Sequence, residues 1–244
     1  MKKHTLGIDI GSTTVKIAIL DENDTLLFAA DFPGAYARGA SRDEALAKLP
    51  DELRAFLRWT NTPVPAFDGA ELVQEQESAL QISDADSDVL FASEREPLTE
   101  AEYAVLKAQV LRSAADFLTL YRSTPDENVS CLPVRQTFYG RAPRTANEMY
   151  AHTKNVNDYY FGEIGVAADC DGTIFECRQR GFAALEQFDG FLSLPAREGS
   201  YGEWWSLRKV LRRFLWHDRI HAKAMYRMLR STFADAEIPN PFCF

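Results

Sequence analysis

Apolar side chains alternate at the start of the chain: Leu6, Ile8 and Ile10, then Val15, Ile17 and Ile19 beyond Gly11-Ser12-Thr13. A period of two interrupted by small and polar residues predicts a β-hairpin. Asp21-Glu22-Asn23-Asp24 reads as a polar turn, and residues 25–31 as a returning third strand. Pro33-Gly34 punctuates the chain. Ser41, followed three residues on by Glu44, is a helix start signal. Ala45, Leu46, Leu49, Leu53, Phe56 and Leu57 then recur at helical spacing, with Pro50 predicting a kink or a restart. Residues 60–65 form a proline-bearing break. Residues 71–77 and 88–92 read as short strands around the acidic loop 83–87.

Beyond residues 94–98 the period changes to that of helices. Thr99 with Glu102 caps a stripe of Tyr103, Leu106, Val110, Leu111, Phe117, Leu118 and Tyr121. Three more helices are expected over about residues 145–164, 171–188 and 203–233. Four long helices joined by loops predict a four-helix bundle, whose metal sites are built from inward-facing side chains. The fold class is therefore α+β in two domains: a small strand-rich βββα domain over residues 1–95, and an all-α bundle over residues 96–244.

Composition changes this picture little. The chain has 244 residues, 46% apolar and 26% charged, as expected of a globular protein. A net charge of −9 disfavours a general nucleic-acid surface. Arg208, Lys209, Arg212 and Arg213 form the best basic patch, read here as the solvated face of the last helix. Four cysteines, Cys131, Cys170, Cys177 and Cys243, show no C-x-x-C spacing. Met1-Lys2-Lys3-His4-Thr5 runs straight into the first strand, and no apolar run reaches membrane-spanning length. A reduced cytoplasmic protein without a membrane partner is expected.

Chemistry concentrates in the histidines. His217 and His221 lie four apart in Trp216-His217-Asp218-Arg219-Ile220-His221, which places two imidazoles on one helical face about 6 Å apart at Cβ. That face also carries Val210, Phe214, Ala224 or Met225, and Met228, so it points to the core. His152, on the helix before, can supply a third nitrogen. Three buried imidazoles cost several kcal/mol unless something satisfies them. One reading is hydrogen-bonded core histidines; the other is a three-histidine site with open positions, the layout of a catalytic metal. Imidazole donors suit Zn, Ni, Fe or Cu better than Mg or Ca. Glu148, one turn before His152, is a fourth ligand, a ring-orienting partner or a solvated carboxylate. Asn155 and Tyr159 either line a pocket above the metal or pack. His4 stands outside the set, and Asp218 points about 100° away from His217 around the helix.

Thr145-Ala146-Asn147-Glu148-Met149-Tyr150-Ala151-His152, together with the run from Glu203 through the His217/His221 pair, resembles the DinB-like superfamily of four-helix bundles. The resemblance covers roughly residues 96–235. It implies a divalent metal held by His152, His217 and His221. Members of known activity include thiol-dependent S-transferases and mycothiol-dependent maleylpyruvate isomerases. The resemblance thus implies a metal-dependent thiol S-transferase or hydrolase acting on an unknown small molecule. No cysteine lies beside a proposed ligand, so the thiol would be a low-molecular-weight cofactor. Such bundles are often homodimers.

Asp31-Phe32-Pro33-Gly34-Ala35-Tyr36-Ala37-Arg38-Gly39-Ala40-Ser41-Arg42-Asp43-Glu44-Ala45-Leu46 resembles the HicB-like antitoxin module, a βββα unit that serves as a binding surface. It implies a protein partner for the first domain, and with it a second functional reading: a non-catalytic regulatory protein whose metal is structural. Leu6-Gly7-Ile8-Asp9-Ile10-Gly11-Ser12-Thr13-Thr14-Val15-Lys16 is similar to the phosphate hairpin of the 2-hydroxyacyl-CoA dehydratase activators. There the turn N–H groups cradle phosphates and the Asp organises a metal. That implies nucleotide contacts at Asp9, Gly11, Ser12, Thr13 and Lys16, and a third reading as an ATP-dependent activator. The second phosphate loop, the adenosine loop and the cluster cysteines of that superfamily have no counterpart here.

Overall fold

The computed structural model describes residues 9–10, 13–14, 16–19, 25–64, 70–76, 88–137 and 140–244. The chain divides into two compact units, Met1–Arg95 with Cys243–Phe244, and Glu96–Phe242. No described helix is long and apolar enough to cross a membrane.

In the first unit β1 (Asp9–Ile10) pairs antiparallel with β2 (Thr13–Thr14). Leu6, Ile8, Gly11, Ser12 and the acidic loop 83–87 lie outside the described residues. β3 (Lys16–Ile19) pairs antiparallel with β4 (Thr25–Ala29), which pairs antiparallel with β5 (Tyr36–Gly39). All of β4 is buried, as befits a strand with neighbours on both edges. α1 (Arg42–Trp59) packs on β4 and β5 and leads to β6 (Glu71–Glu75), which joins β3 in parallel. The sheet order is β5-β4-β3-β6. A parallel pair needs a crossover, and α1 is its helix.

Three details depart from the expectation. β5 follows a hairpin that the short run Tyr36-Ala37-Arg38-Gly39 does not announce. Gly34 makes the turn at φ 99°, and Gly39 lets the strand end meet the helix start: a Cβ there would stand 2.6 Å from the Ala45 amide nitrogen. Secondly, α1 runs unbroken through Pro50. The lost N–H bond is outweighed by Leu49, Leu53, Phe56 and Trp59, none more than 2% exposed. Thirdly, residues 88–91 are not a strand. The Gln74 side-chain amide clips them to β6, donating to Leu90 O (3.2 Å) and accepting from Ala92 N (2.9 Å).

The second unit is mainly helical. α2 (Glu100–Arg122) starts at the Thr99/Glu102 capping box. A small hairpin, β7 (Gln136–Thr137) with β8 (Gly140–Arg141), precedes α3 (Ala146–Lys154). α4 (Asn157–Glu163) and α5 (Ile174–Leu185) follow. β9 (Arg197–Glu198) pairs with β10 (Trp204–Trp205), and Ser206 then caps α6 (Leu207–Thr232). α6 packs against α2, α3 and α4, and α5 against α2 and α4. The expected single helix over 145–164 is two, interrupted at Asn155-Val156 where the α3 C-cap falls. The last helix starts at Leu207, because Trp204 and Trp205 are spent on a strand pair.

Lys209, Arg212 and Arg213 overturn the reading of a solvated basic face. They are 0%, 2% and 5% exposed, and α6 is buried on every side from Lys209 to Ala222. Lys209 donates to Trp204 O (2.7 Å), pairs with Glu203 (2.7 Å) and lies over the Trp205 ring. Burial holds its ammonium down to about 8 against the pull of Glu203. Arg213 stacks among Tyr160, Trp205 and Trp216. Arg208 reaches the Glu96 and Pro97 carbonyls and the Glu102 carboxylate. Aromatic faces and carbonyls let these long cations sit inside.

Candidate metal centre

Two capped helices bring the histidines together. The Thr145 hydroxyl accepts from the Glu148 amide, fixing the start of α3 two turns before His152. The Ser206 hydroxyl accepts from the Lys209 amide and does the same for α6. α3 packs on α6, so His152 faces the His217/His221 turn. Ring centroids are 5.1 Å apart for His152–His217, 4.6 Å for His152–His221 and 4.4 Å for His217–His221. One nitrogen from each ring lies within 4.8 Å of the others, so a single ion could be held by all three.

The chemistry of these rings suits a cation. His217 is 5% exposed, and its Nδ1 has no hydrogen-bond partner among the described residues. An orphaned buried polar atom costs about 1–3 kcal/mol, which coordination would recover. Burial pushes the His152 imidazole below its ordinary value. It pushes His217 well below, helped by His221, His152, Arg213 and Arg178. Both rings are therefore neutral near pH 7, with lone pairs available to a metal.

An aromatic cluster backs His217. Tyr160 meets His217 edge-on at 5.9 Å and contacts Phe214 (5.1 Å) and Trp205 (5.6 Å). Of the other candidate positions, Glu148 gives Oε2 to the amides of Arg144 (2.9 Å) and Thr145 (3.1 Å), completing the α3 capping box. The spacing Thr145-x-x-Glu148 carries that signal in the sequence. Asn155 is the exposed C-cap residue of α3. Tyr159, half-buried on α4, packs against Trp205 at 5.7 Å. Tyr159 stands on the next helix, beyond the interruption, and so does not continue the α3 face that carries His152. Asp9, Thr13 and Lys16 occupy strand positions β1, β2 and β3 of the first unit. The four cysteines are free thiols, with Cys177 buried and pushed up to about 11 by desolvation.

A polar cluster beside the histidines went unseen in the sequence. Asp218, next to His217, is fully buried and takes a two-pronged contact from Arg178 of α5, at 3.2 and 3.3 Å. The Ser113 hydroxyl of α2 donates to the same carboxylate. Arg178 Nε donates to Asn157 Oδ1 of α4 (3.1 Å), and its guanidinium lies 3.7 Å from the Phe214 ring centre. Asn157 in turn donates to the Asp169 and Cys177 carbonyls. Desolvation pushes the Asp218 carboxyl up, with Arg178 and Ser113 pulling the other way. Partners 40 and 105 residues away leave no local pattern to read.

No protein-family model, curated protein or solved structure matches this chain.

Proposed function

We propose that the protein is a divalent-transition-metal enzyme of DinB-like type, with His152, His217 and His221 as ligands, acting as a thiol S-transferase or hydrolase. The observation that carries this reading is the trio of converging imidazoles with an orphaned nitrogen on His217. Three nitrogen donors leave coordination positions for a substrate or thiol, as catalytic sites do and closed structural sites do not. A bound metal of this kind supplies Lewis-acid chemistry and favours the ionised form of a coordinated thiol. The chain's own contribution is to present three imidazole donors in fixed geometry and to set the Tyr160 ring, backed by Phe214 and Trp205, against His217. The helix pairings of α2, α5, α6 and the interrupted α3–α4 support a four-helix-bundle reading. In the first unit, β3, β4 and β5 followed by α1 support the HicB-like reading.

Elemental analysis of protein purified without an affinity tag tests the metal. We expect a stoichiometric transition metal in the wild type and its loss in His217→Ala. Thiol-dependent turnover of model electrophiles and hydrolysis of model esters, with and without a chelator, then test the reaction class. Wild-type protein free of metal and unable to take up Co(II) or Zn(II) overturns the proposal. A His217→Ala variant that loses metal yet melts within a degree or two of wild type argues against a purely structural metal.

A further inference from the structure

The buried cluster Ser113–Asp218–Arg178–Asn157 joins α2, α6, α5 and α4. Its members on α6 and α4 sit at the two ends of the metal-site problem. Asp218 immediately follows His217 along α6, so whatever fixes the Asp218 carboxylate fixes the rotation of the helix that aims His217. Asn157 opens α4 directly after the Asn155-Val156 interruption, three residues beyond the end of the helix carrying His152. Arg178 ties the two together. Its Nη atoms hold Asp218 and its Nε holds Asn157. Its flat face lies on Phe214, which packs on Tyr160, which in turn meets the His217 ring. Every one of these contacts is directional, and all four polar side chains are 0% exposed. Directional buried bonds specify position even where they add little net stability.

We infer that Arg178 is a positioning residue for the metal centre: through Asp218 and Asn157 it sets the rotation of α6 against the α3–α4 break, and so presets the spacing of His217 from His152. This rests on the metal reading above. An apolar core of the same volume would hold the helices together equally well, yet would let α6 turn. Groups that orient metal ligands from outside the coordination sphere typically account for about 10–100-fold in affinity.

The test is Co(II) binding followed by its visible absorption, on wild type, Arg178→Lys, Ser113→Ala and the double variant Arg178→Met/Asp218→Leu. The double variant removes both charges together, leaving no unpaired ion, so it is expected to melt close to wild type. Its Co(II) affinity is expected to fall about 10-fold or more, with an altered absorption band. Arg178→Lys keeps the charge but loses the fork and is expected to fall between. A double variant that is folded and binds Co(II) with unchanged affinity and spectrum overturns the inference. If the double variant does not fold, Arg178→Lys decides: unchanged affinity and spectrum overturn it, and a weakened site with a shifted band, against an unchanged Ser113→Ala control, supports it. Wild type that takes up no Co(II) overturns the metal reading itself, a distinct outcome.

Discussion

Removing Arg178 while leaving Asp218 should be among the most damaging single changes in the second unit. Both side chains of the pair are 0% exposed, and the carboxylate has no route to water. Arg178→Met preserves length and apolar bulk but strands a buried carboxylate with only the Ser113 hydroxyl as a described partner. Breaking a buried pair in this way costs about 3–5 kcal/mol. At about 2–4 °C per kcal/mol for a chain of this size, the melting transition should fall by roughly 6–20 °C. Far-UV circular dichroism during heating reads this directly. The double variant Arg178→Met/Asp218→Leu should recover most of the loss, since no ion then remains to be buried. The sign of the pH response follows from the same argument. The stranded carboxyl would have a folded-state pKa above its unfolded value, so the folded state takes up a proton first. The deficit of the single variant should therefore shrink as pH falls and be fullest near neutrality. A melting temperature within about 3 °C of wild type near neutral pH would show that the pair is not desolvated and that the reasoning is wrong.

The histidines titrate in the other direction. His217 and His152 are held below their ordinary value in the fold, so above about pH 6.5 neither state is protonated and nothing changes. Below that, the unfolded chain takes up protons the fold refuses, and stability should drop by about 1.4 kcal/mol per pH unit for His217 alone. Urea midpoints of metal-free wild type and His217→Phe at pH 7.5 and 5.5 check this; parallel slopes would refute it. In the first unit, Gly39→Ala places a Cβ 2.6 Å from one backbone atom and 2.9 Å from another, and should cost about 1–3 kcal/mol in urea unfolding. Gly162→Ala is the control: nothing lies within 4 Å of its Cβ, and it should be neutral or stabilising by up to about 1 kcal/mol.

Local chemistry was legible in the chain because it spans a turn of helix or less. The Thr99/Glu102 box, the Ser41 cap and the four-residue spacing of His217 and His221 are of this kind, and each is written within five residues. What the sequence could not express are contacts between distant segments. Lys209, Arg212 and Arg213 look like a solvated stripe because charge normally seeks water, yet all three are buried, and a carbonyl and aromatic faces brought in by other elements hold Lys209 and Arg213 inside. Just past the break at Asn155-Val156, Asn157 enters a cluster whose other members come from α2, α5 and α6. β5 and the parallel strand β6 depend on partners that a run of four or five residues does not name.

The amino-acid order alone therefore determined where helices begin, which face of α6 carries imidazoles, and that three histidines were available to meet. Whether they converge, which of their nitrogens lacks a partner, and what holds α6 at its rotation were decided only by tertiary packing. The reason is physical: propensity and capping act over one turn, whereas burial and ion pairing depend on which distant groups share a dry space.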